Sequence, residues 1–143
     1  MSVVTTAALK FPVMCLSRDH SITVIEGAVR LHQCNALAFF KNRYHESLVI
    51  IDAEGRRFRV VRAEVVPALS TPGRWIARAL NRRLHVELQL EAEGSGSLED
   101  AKRLVNDWLG RAVDFWEASR SIEEWRDLVA RASTARELIA LFA

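Results

Sequence analysis

Arginines are spaced at two regular intervals between residues 57 and 82 of this 143-residue chain. Arg57 and Arg59 are two residues apart, so an extended strand places both side chains on one face. The second set recurs every fourth residue, which is the spacing of one helix face: Arg74, Arg78 and Arg82. Because a guanidinium group can donate two parallel hydrogen bonds to a phosphate or a carboxylate, these five arginines are the candidate binding residues for an anionic partner.

Charge is distributed unevenly along the chain. Residues 1–55 hold five basic and five acidic side chains, residues 56–83 hold eight arginines and one acid, and residues 84–143 hold seven basic and twelve acidic side chains. Two interpretations stay open. The arginines bind a nucleic acid or another anionic ligand, or they pair with acids of the same chain such as Glu87 and Glu91. Internal pairing is favoured, since only two aromatic residues lie among the arginines as stacking partners for bases.

Trp116 is the candidate interface residue. It lies beside Phe115, one position off the apolar stripe of a predicted helix, so the sequence predicts that its side chain is exposed. Exposed tryptophans anchor many protein interfaces. Together with Leu109 and Val113, Trp116 is predicted to meet a second copy of the chain, and a twofold homodimer is favoured over internal docking of the same residues.

The remaining reactive side chains predict no cofactor and no metal. Cys15 and Cys34 have no metal or redox spacing, and both are predicted to be buried. The four histidines show no zinc-ligand spacing, and the chain has no glycine-rich phosphate loop or nucleophile elbow. An enzyme built on Cys34, His45 or His85 is therefore only a third hypothesis for the function.

The elements that must position these residues are organised around a hairpin within residues 46–66. Leu48 to Ile51 form an apolar run that predicts a central strand buried on both faces. Asp52 can accept a hydrogen bond from the backbone two residues on, and Gly55 can adopt the positive φ that closes the turn. The partner strand alternates Phe58 and Val60 with arginines, which predicts one wet face.

The rest of the chain predicts the order β-β-α-β-β-α-β-α-α-α. Strands are expected at residues 11–17, 21–26 and 84–92, and helices at 28–43 and 74–83. Three capping pairs predict the starts of C-terminal helices: Ser97 with Asp100, Ser121 with Glu124, and Thr134 with Glu137. The pattern as a whole predicts an α+β fold, in which an antiparallel sheet of about five strands packs helices on one face and carries a C-terminal helical segment.

Residues 1–143 are predicted to form a single domain, with a possible sub-boundary at the flexible segment 93–97. The competing layout has residues 97–143 as a helical arm that swaps onto a second copy. The N-terminus lacks the pattern of a signal peptide, and no apolar run is long enough to span a membrane, so a cytoplasmic location is expected.

The absence of catalytic signatures favours a non-catalytic binding protein whose partner is another protein. In size and layout the chain is similar to small bacterial single-domain proteins that act as immunity, antitoxin or accessory partners, and the similarity implies an immunity- or adaptor-like role. The alternative hypothesis is a nucleic-acid or anionic-ligand binding module that uses the five arginines.

Overall fold

The computed structural model describes residues 3–143, and its centre is an antiparallel sheet. The strands are β1 (Val3–Thr5), β2 (Val13–Leu16), β3 (Ile22–Ile25), β4 (Gln33–Asn35), β5 (Val49–Ile51), β6 (Arg57–Val65) and β7 (Arg83–Glu93). Their order in the sheet is β1-β7-β6-β5-β2-β3, and β4 pairs with β7 beside β1. The predicted α+β class with an antiparallel sheet is confirmed, with seven strands among the described residues where the sequence predicted about five.

The helices are mostly short, and they are concentrated after β7. They are α1 (Ala28–Leu31), α2 (Thr71–Ala79), α3 (Leu98–Arg111), α4 (Val113–Trp116), α5 (Ile122–Arg131) and α6 (Ala135–Ala140). A 3-10 helix covers Thr6–Ala8 and a π-helix covers Leu37–Lys41. Within the described part of the chain, every helix is too short or too polar to cross a membrane.

The predicted hairpin is confirmed as the pair β5 and β6. Asp52 accepts a hydrogen bond from the Glu54 N–H at 3.0 Å, and Gly55 has a φ of +83°. In the β5–β6 register Ile50 lies opposite Phe58. The whole of β5 is buried, in agreement with its predicted place between other strands.

The sheet is covered on both faces where β2 and β5 run. On one face, Met14 and Ile51 pack against the C-terminal helices, and Trp108 of α3 donates its indole N–H to the carbonyl of Ser17 at 2.9 Å. On the other face, Cys15 and Ile50 belong to a second apolar core that also includes the inward side chains of β6 and β7. The C-terminal segment is thus tied to the sheet by both apolar packing and a buried hydrogen bond.

The three predicted N-caps of the C-terminal helices are confirmed. In each, the cap hydroxyl accepts the backbone N–H three residues on, at 3.1 to 3.2 Å: Ser97 from Asp100, Ser121 from Glu124, and Thr134 from Glu137. These bonds satisfy N–H groups that have no partner inside the helix.

The helix predicted over residues 28–43 is wrong. The chain forms only the single turn of α1 before Gln33–Asn35 turns outward as β4 and pairs with Arg83–His85. The π-helix follows immediately after Ala36. The edge of β7 offers unpaired backbone groups at this point, and pairing with them overrides a helical pattern that was weak in the sequence.

The predicted exposure of Trp116 is also wrong. Its side chain is only 8% exposed, and it meets the rings of Trp125 and Phe142 edge to face at centroid distances of 5.4 and 5.6 Å. Leu109 is fully buried and Val113 packs against the same core. These three residues are part of the monomer's own interior, and the homodimer stays a prediction without this surface to support it.

Candidate functional site

The five candidate arginines separate into two groups. Arg57 contacts Glu93 at 3.3 Å and Asp100 at 3.6 Å, and Arg59 contacts Glu93 at 3.8 Å. Both arginines stand on the polar face of β6, next to the acidic residues of β7 and the first turn of α3. Their charges are therefore matched inside the chain, but by Glu93 and Asp100 rather than by Glu87 and Glu91, the partners suggested by the sequence.

The arginines in α2 and just after it have no acidic partners in the described part of the chain. Among residues 3–143, no carboxylate forms an ion pair with Arg74, Arg78 or Arg82. All three are exposed. They repeat at the helical spacing, so Arg74 and Arg78 follow one face of α2. This stripe of positive charge is directed to solvent.

Three large apolar side chains of the same segment are also exposed. Trp75 is 74% exposed, Ile76 50% and Leu80 63%, whereas Ala77 is the one buried residue of α2. At about 100° per residue, Trp75 lies between the arginine stripe and the pair Ile76 and Leu80. We call these six residues the α2 surface: Arg74, Trp75, Ile76, Arg78, Leu80 and Arg82.

Local interactions hold α2 in place although it buries little of itself. Ser70 caps the helix, because its hydroxyl accepts the Gly73 N–H at 3.1 Å. At the other end the Arg82 N–H donates to the Ala77 carbonyl at 2.9 Å, and the Ala36 N–H donates to the Arg82 carbonyl at 2.8 Å. The helix is thus capped at its N-terminus and is tied to the rest of the fold by Arg82 and the buried Ala77. Its apolar band of Trp75, Ile76 and Leu80 stays exposed.

The sequence had given no indication that this apolar band is exposed. Its spacing predicted a helix at residues 74–83, and an apolar stripe of that kind ordinarily packs inward. A contiguous patch of large apolar residues on the surface marks an interaction site. The exposed side chains of Trp75, Ile76 and Leu80 are therefore a functional signal in addition to the arginine spacing.

Two histidines and a glutamate come together at the edge of β7, where His32 follows α1 and the other two belong to the strand. The rings of His32 and His85 stack at a centroid distance of 5.3 Å, and His85 Nε2 lies 2.8 Å from the Glu87 carboxylate. Side-chain nitrogen and oxygen atoms of these three residues lie within 4.8 Å of one another, which is the composition of a divalent-metal site.

The hydrogen bonds of His32 do not fit a metal. Its Nδ1 is 2.7 Å from the Val86 carbonyl, which cannot donate, so this nitrogen carries a proton. The Nε2 is hydrogen-bonded to the Thr6 hydroxyl at 2.6 Å. Nδ1 is also the nitrogen near Glu87, at 3.7 Å, and a protonated nitrogen cannot ligate. The cluster is explained by the edge of β7, where His32 satisfies a backbone carbonyl.

The residues of the enzyme hypothesis are not assembled into one site. Cys34 lies opposite Leu84 in the β4–β7 register and faces the core, whereas His85 is on the exposed face of β7. Burial raises the pKa of Cys34 to about 11 and that of Cys15 to about 12, which keeps both thiols protonated and weakly nucleophilic near neutral pH. His45 is buried, and burial lowers its pKa to about 4.

Comparisons of the chain with protein-family models, with curated proteins and with solved structures found no match.

Proposed function

We propose that this chain is a non-catalytic protein-binding module, and that its α2 surface binds an acidic region of another protein. The observation that carries the proposal is the exposed apolar band of Trp75, Ile76 and Leu80. Each square ångström of apolar surface removed from water contributes about 25 cal/mol, and tryptophan and arginine are the residues that most often dominate interface energies. An adaptor- or immunity-like role is the class of function that such a module would serve.

Charge supports an acidic partner. Arg74, Arg78 and Arg82 have no ion-pair partner among the described residues. Arg74 and Arg78 lie beside Trp75, on one side of the apolar band. A partner with carboxylates around an apolar pocket would neutralise these charges and accelerate association. The same three arginines would repel a basic surface, so they also determine which partners are rejected.

The test places a photocrosslinking amino acid at position 75 of the full-length chain in the source cells. We expect one protein to be captured in stoichiometric amount, and capture to fall at least about tenfold when the R74E/R78E change is added. A probe at Val29, an equally exposed apolar residue, is the control position, and R30E is the control for charge. Capture that is equal at both positions, or indifferent to R74E/R78E, contradicts the proposal.

Other occupants of the α2 surface give different results in the same experiment. A basic amphipathic helix can also bind anionic membranes, and in that case the purified chain would co-sediment with phosphatidylglycerol vesicles and lose this binding in W75A. Crosslinking of position 75 to a second copy would instead identify a homodimer. Either result, without a heterologous protein, overturns the proposed function.

The second candidate function is binding of nucleic acid, and the observation that favours it is the set of unpaired arginines beside Trp75. Its weakness is that Ile76 and Leu80 lie in the same band and offer nothing to a phosphate backbone. It predicts binding to mixed DNA and RNA at low salt, with an affinity that falls steeply as salt rises and falls further in R78E. Fluorescence anisotropy with labelled oligonucleotides measures both effects.

A further inference from the structure

One edge of strand β6 is paired along its whole length, and the other edge is paired along only part of it. β7 pairs with β6 from Arg57 to Val65, whereas β5 pairs only with Arg57 to Arg59. The last hydrogen bond on the β5 side runs from the Val60 N–H to the Leu48 carbonyl at 2.9 Å. Beyond it, from Val61 to Val65, no strand of the described chain covers this edge.

The backbone groups at this edge can be identified. The Val66 N–H donates to the His85 carbonyl at 2.9 Å, so the backbone of Val66 faces β7. Successive strand residues direct their backbone groups to opposite edges, and those of Val65 and Ala63 therefore face the open edge. Neither N–H has a hydrogen-bond partner in the described part of the chain.

A groove runs along the open edge. It consists of two cavities of about 270 and 420 Å³, which share Phe39 and Ala63 in their linings. The π-helix supplies one wall, with Phe40 beside Phe39 in the larger cavity. His45 lines the smaller cavity, and its buried Nδ1 has no hydrogen-bond partner among residues 3–143.

The charges around the groove leave one arginine unmatched. Arg43 contacts Glu46 at 3.7 Å, and Arg62 forms an ion pair with Glu64 on β6 itself. Arg74 lines the larger cavity near Val65 and has no carboxylate partner in the described residues. The groove is thus apolar in its middle and positive at the end that leads to α2.

We propose that this groove binds an extended segment of the partner protein, which adds to the sheet as a strand along β6. Only an extended chain presents alternating donors and acceptors to Ala63 and Val65, because a helix uses its backbone groups internally. The segment places apolar side chains towards Phe39 and a carboxylate beside Arg74. This inference rests on the proposed function, because Arg74 belongs to both the groove and the α2 surface.

Amide hydrogen exchange of the unliganded full-length chain gives the first test. The amides of Ala63 and Val65 face the open edge and are expected to exchange at least about tenfold faster than those of Arg62 and Glu64, which face β7. Equal protection of all four amides would show that the edge is covered, and would overturn the proposal without any variant.

The second test uses random peptides of about twelve residues displayed on phage and selected against the full-length chain. Selected peptides, made synthetically, are expected to carry an acidic residue next to apolar ones and to slow exchange at Ala63 and Val65 at least about tenfold. F39A should weaken their binding about tenfold, while F115A, which removes an exposed aromatic ring at a distant helix, should not.

Three outcomes would overturn the strand proposal. They are a selection that yields no binder, binders that protect α2 but not β6, and protection of Ala63 and Val65 that rises with protein concentration when no peptide is present. The last would identify a second copy as the occupant. Partner capture by the crosslinking residue at position 75 is measured separately with R78E alone, and neither position lines the groove, so failure here is distinguishable from failure of the proposed function.

Discussion

Arg56 donates two hydrogen bonds to the fully buried carboxylate of Asp52, from Nε at 3.0 Å and from Nη2 at 2.7 Å. Asp52 also accepts the backbone N–H of Lys10 at 3.2 Å, and Arg56 Nη2 reaches the Ala8 carbonyl at 2.7 Å. The pair thereby fastens the N-terminal segment to the turn of the β5–β6 hairpin.

Removing the Asp52 carboxylate should be strongly destabilising. D52A leaves the backbone N–H groups of Lys10, Glu54 and Arg56 without their acceptor, and each buried N–H that loses its partner costs about 1 to 3 kcal/mol. The Arg56 guanidinium adds less, because its side chain is 39% exposed and water can solvate it. Urea denaturation measures the free energy of unfolding. E54Q is the matched control in the same turn. The Glu54 carboxylate is exposed and contacts Arg56 Nε only weakly, at 3.7 Å, so this change should alter stability by less than about 0.5 kcal/mol.

Gly55 should resist substitution by alanine. Its φ of +83° costs an L-residue about 1 to 2 kcal/mol, and an added Cβ would lie 3.4 Å from the Gly96 carbonyl oxygen. G27A is the control, since Gly27 has an extended φ of −151° and open space around it. Equal thermal midpoints for the two variants would show that the turn does not require a glycine.

Burial of neutral His45 should make stability depend on pH. Its pKa is about 4 in the folded chain and about 6.5 when unfolded, so below pH 6.5 the unfolded state binds more protons than the folded state. His45 therefore does not change the free energy of unfolding above pH 6.5. As pH falls from 6.5 towards 4 it lowers that free energy, by about 3 kcal/mol in total at 1.36 kcal/mol per pKa unit. Urea titrations between pH 7.5 and 4 should show a shallower slope for H45Q than for the parent chain.

The two thiols should be unreactive towards thiol reagents in the native state. Cys15 and Cys34 are buried and their pKa values are raised, so a thiol reagent at pH 8 should modify neither of them within the time that labels a free cysteine. Two equivalents should react once urea unfolds the chain. Rapid labelling of one cysteine in native buffer would show that β2 or β4 opens locally.

Local signals in the sequence predicted the parts of the fold that local contacts determine. The turn at Asp52 and Gly55, and the caps at Ser97, Ser121 and Thr134, each depend on residues within three or four positions of one another. The structure has this turn and these caps at the predicted residues.

Errors arose where distant partners decide the conformation. Cys34 belongs to a strand only because Leu84 lies opposite it, and nothing near Cys34 in the sequence encodes that pairing. Trp116 was placed by extending the α3 stripe, but Ala112 breaks the helix with φ −140° and ψ 50°. The break rotates Trp116 inward onto Trp125. The exposure of the α2 surface also depends on residues distant in sequence. Only the tertiary structure shows that no other part of the described chain covers Trp75.

The unequal exposure of the four tryptophans makes Trp75 an intrinsic fluorescent probe of the α2 surface. Trp108, Trp116 and Trp125 are buried, and Trp75 alone stands in solvent beside arginines. Iodide, an anionic quencher that those arginines attract, should therefore extinguish the red-shifted emission of Trp75 and spare the other three. Any molecule that covers the α2 surface should restore that emission and shift it to the blue, so occupancy can be followed by fluorescence in the unlabelled protein.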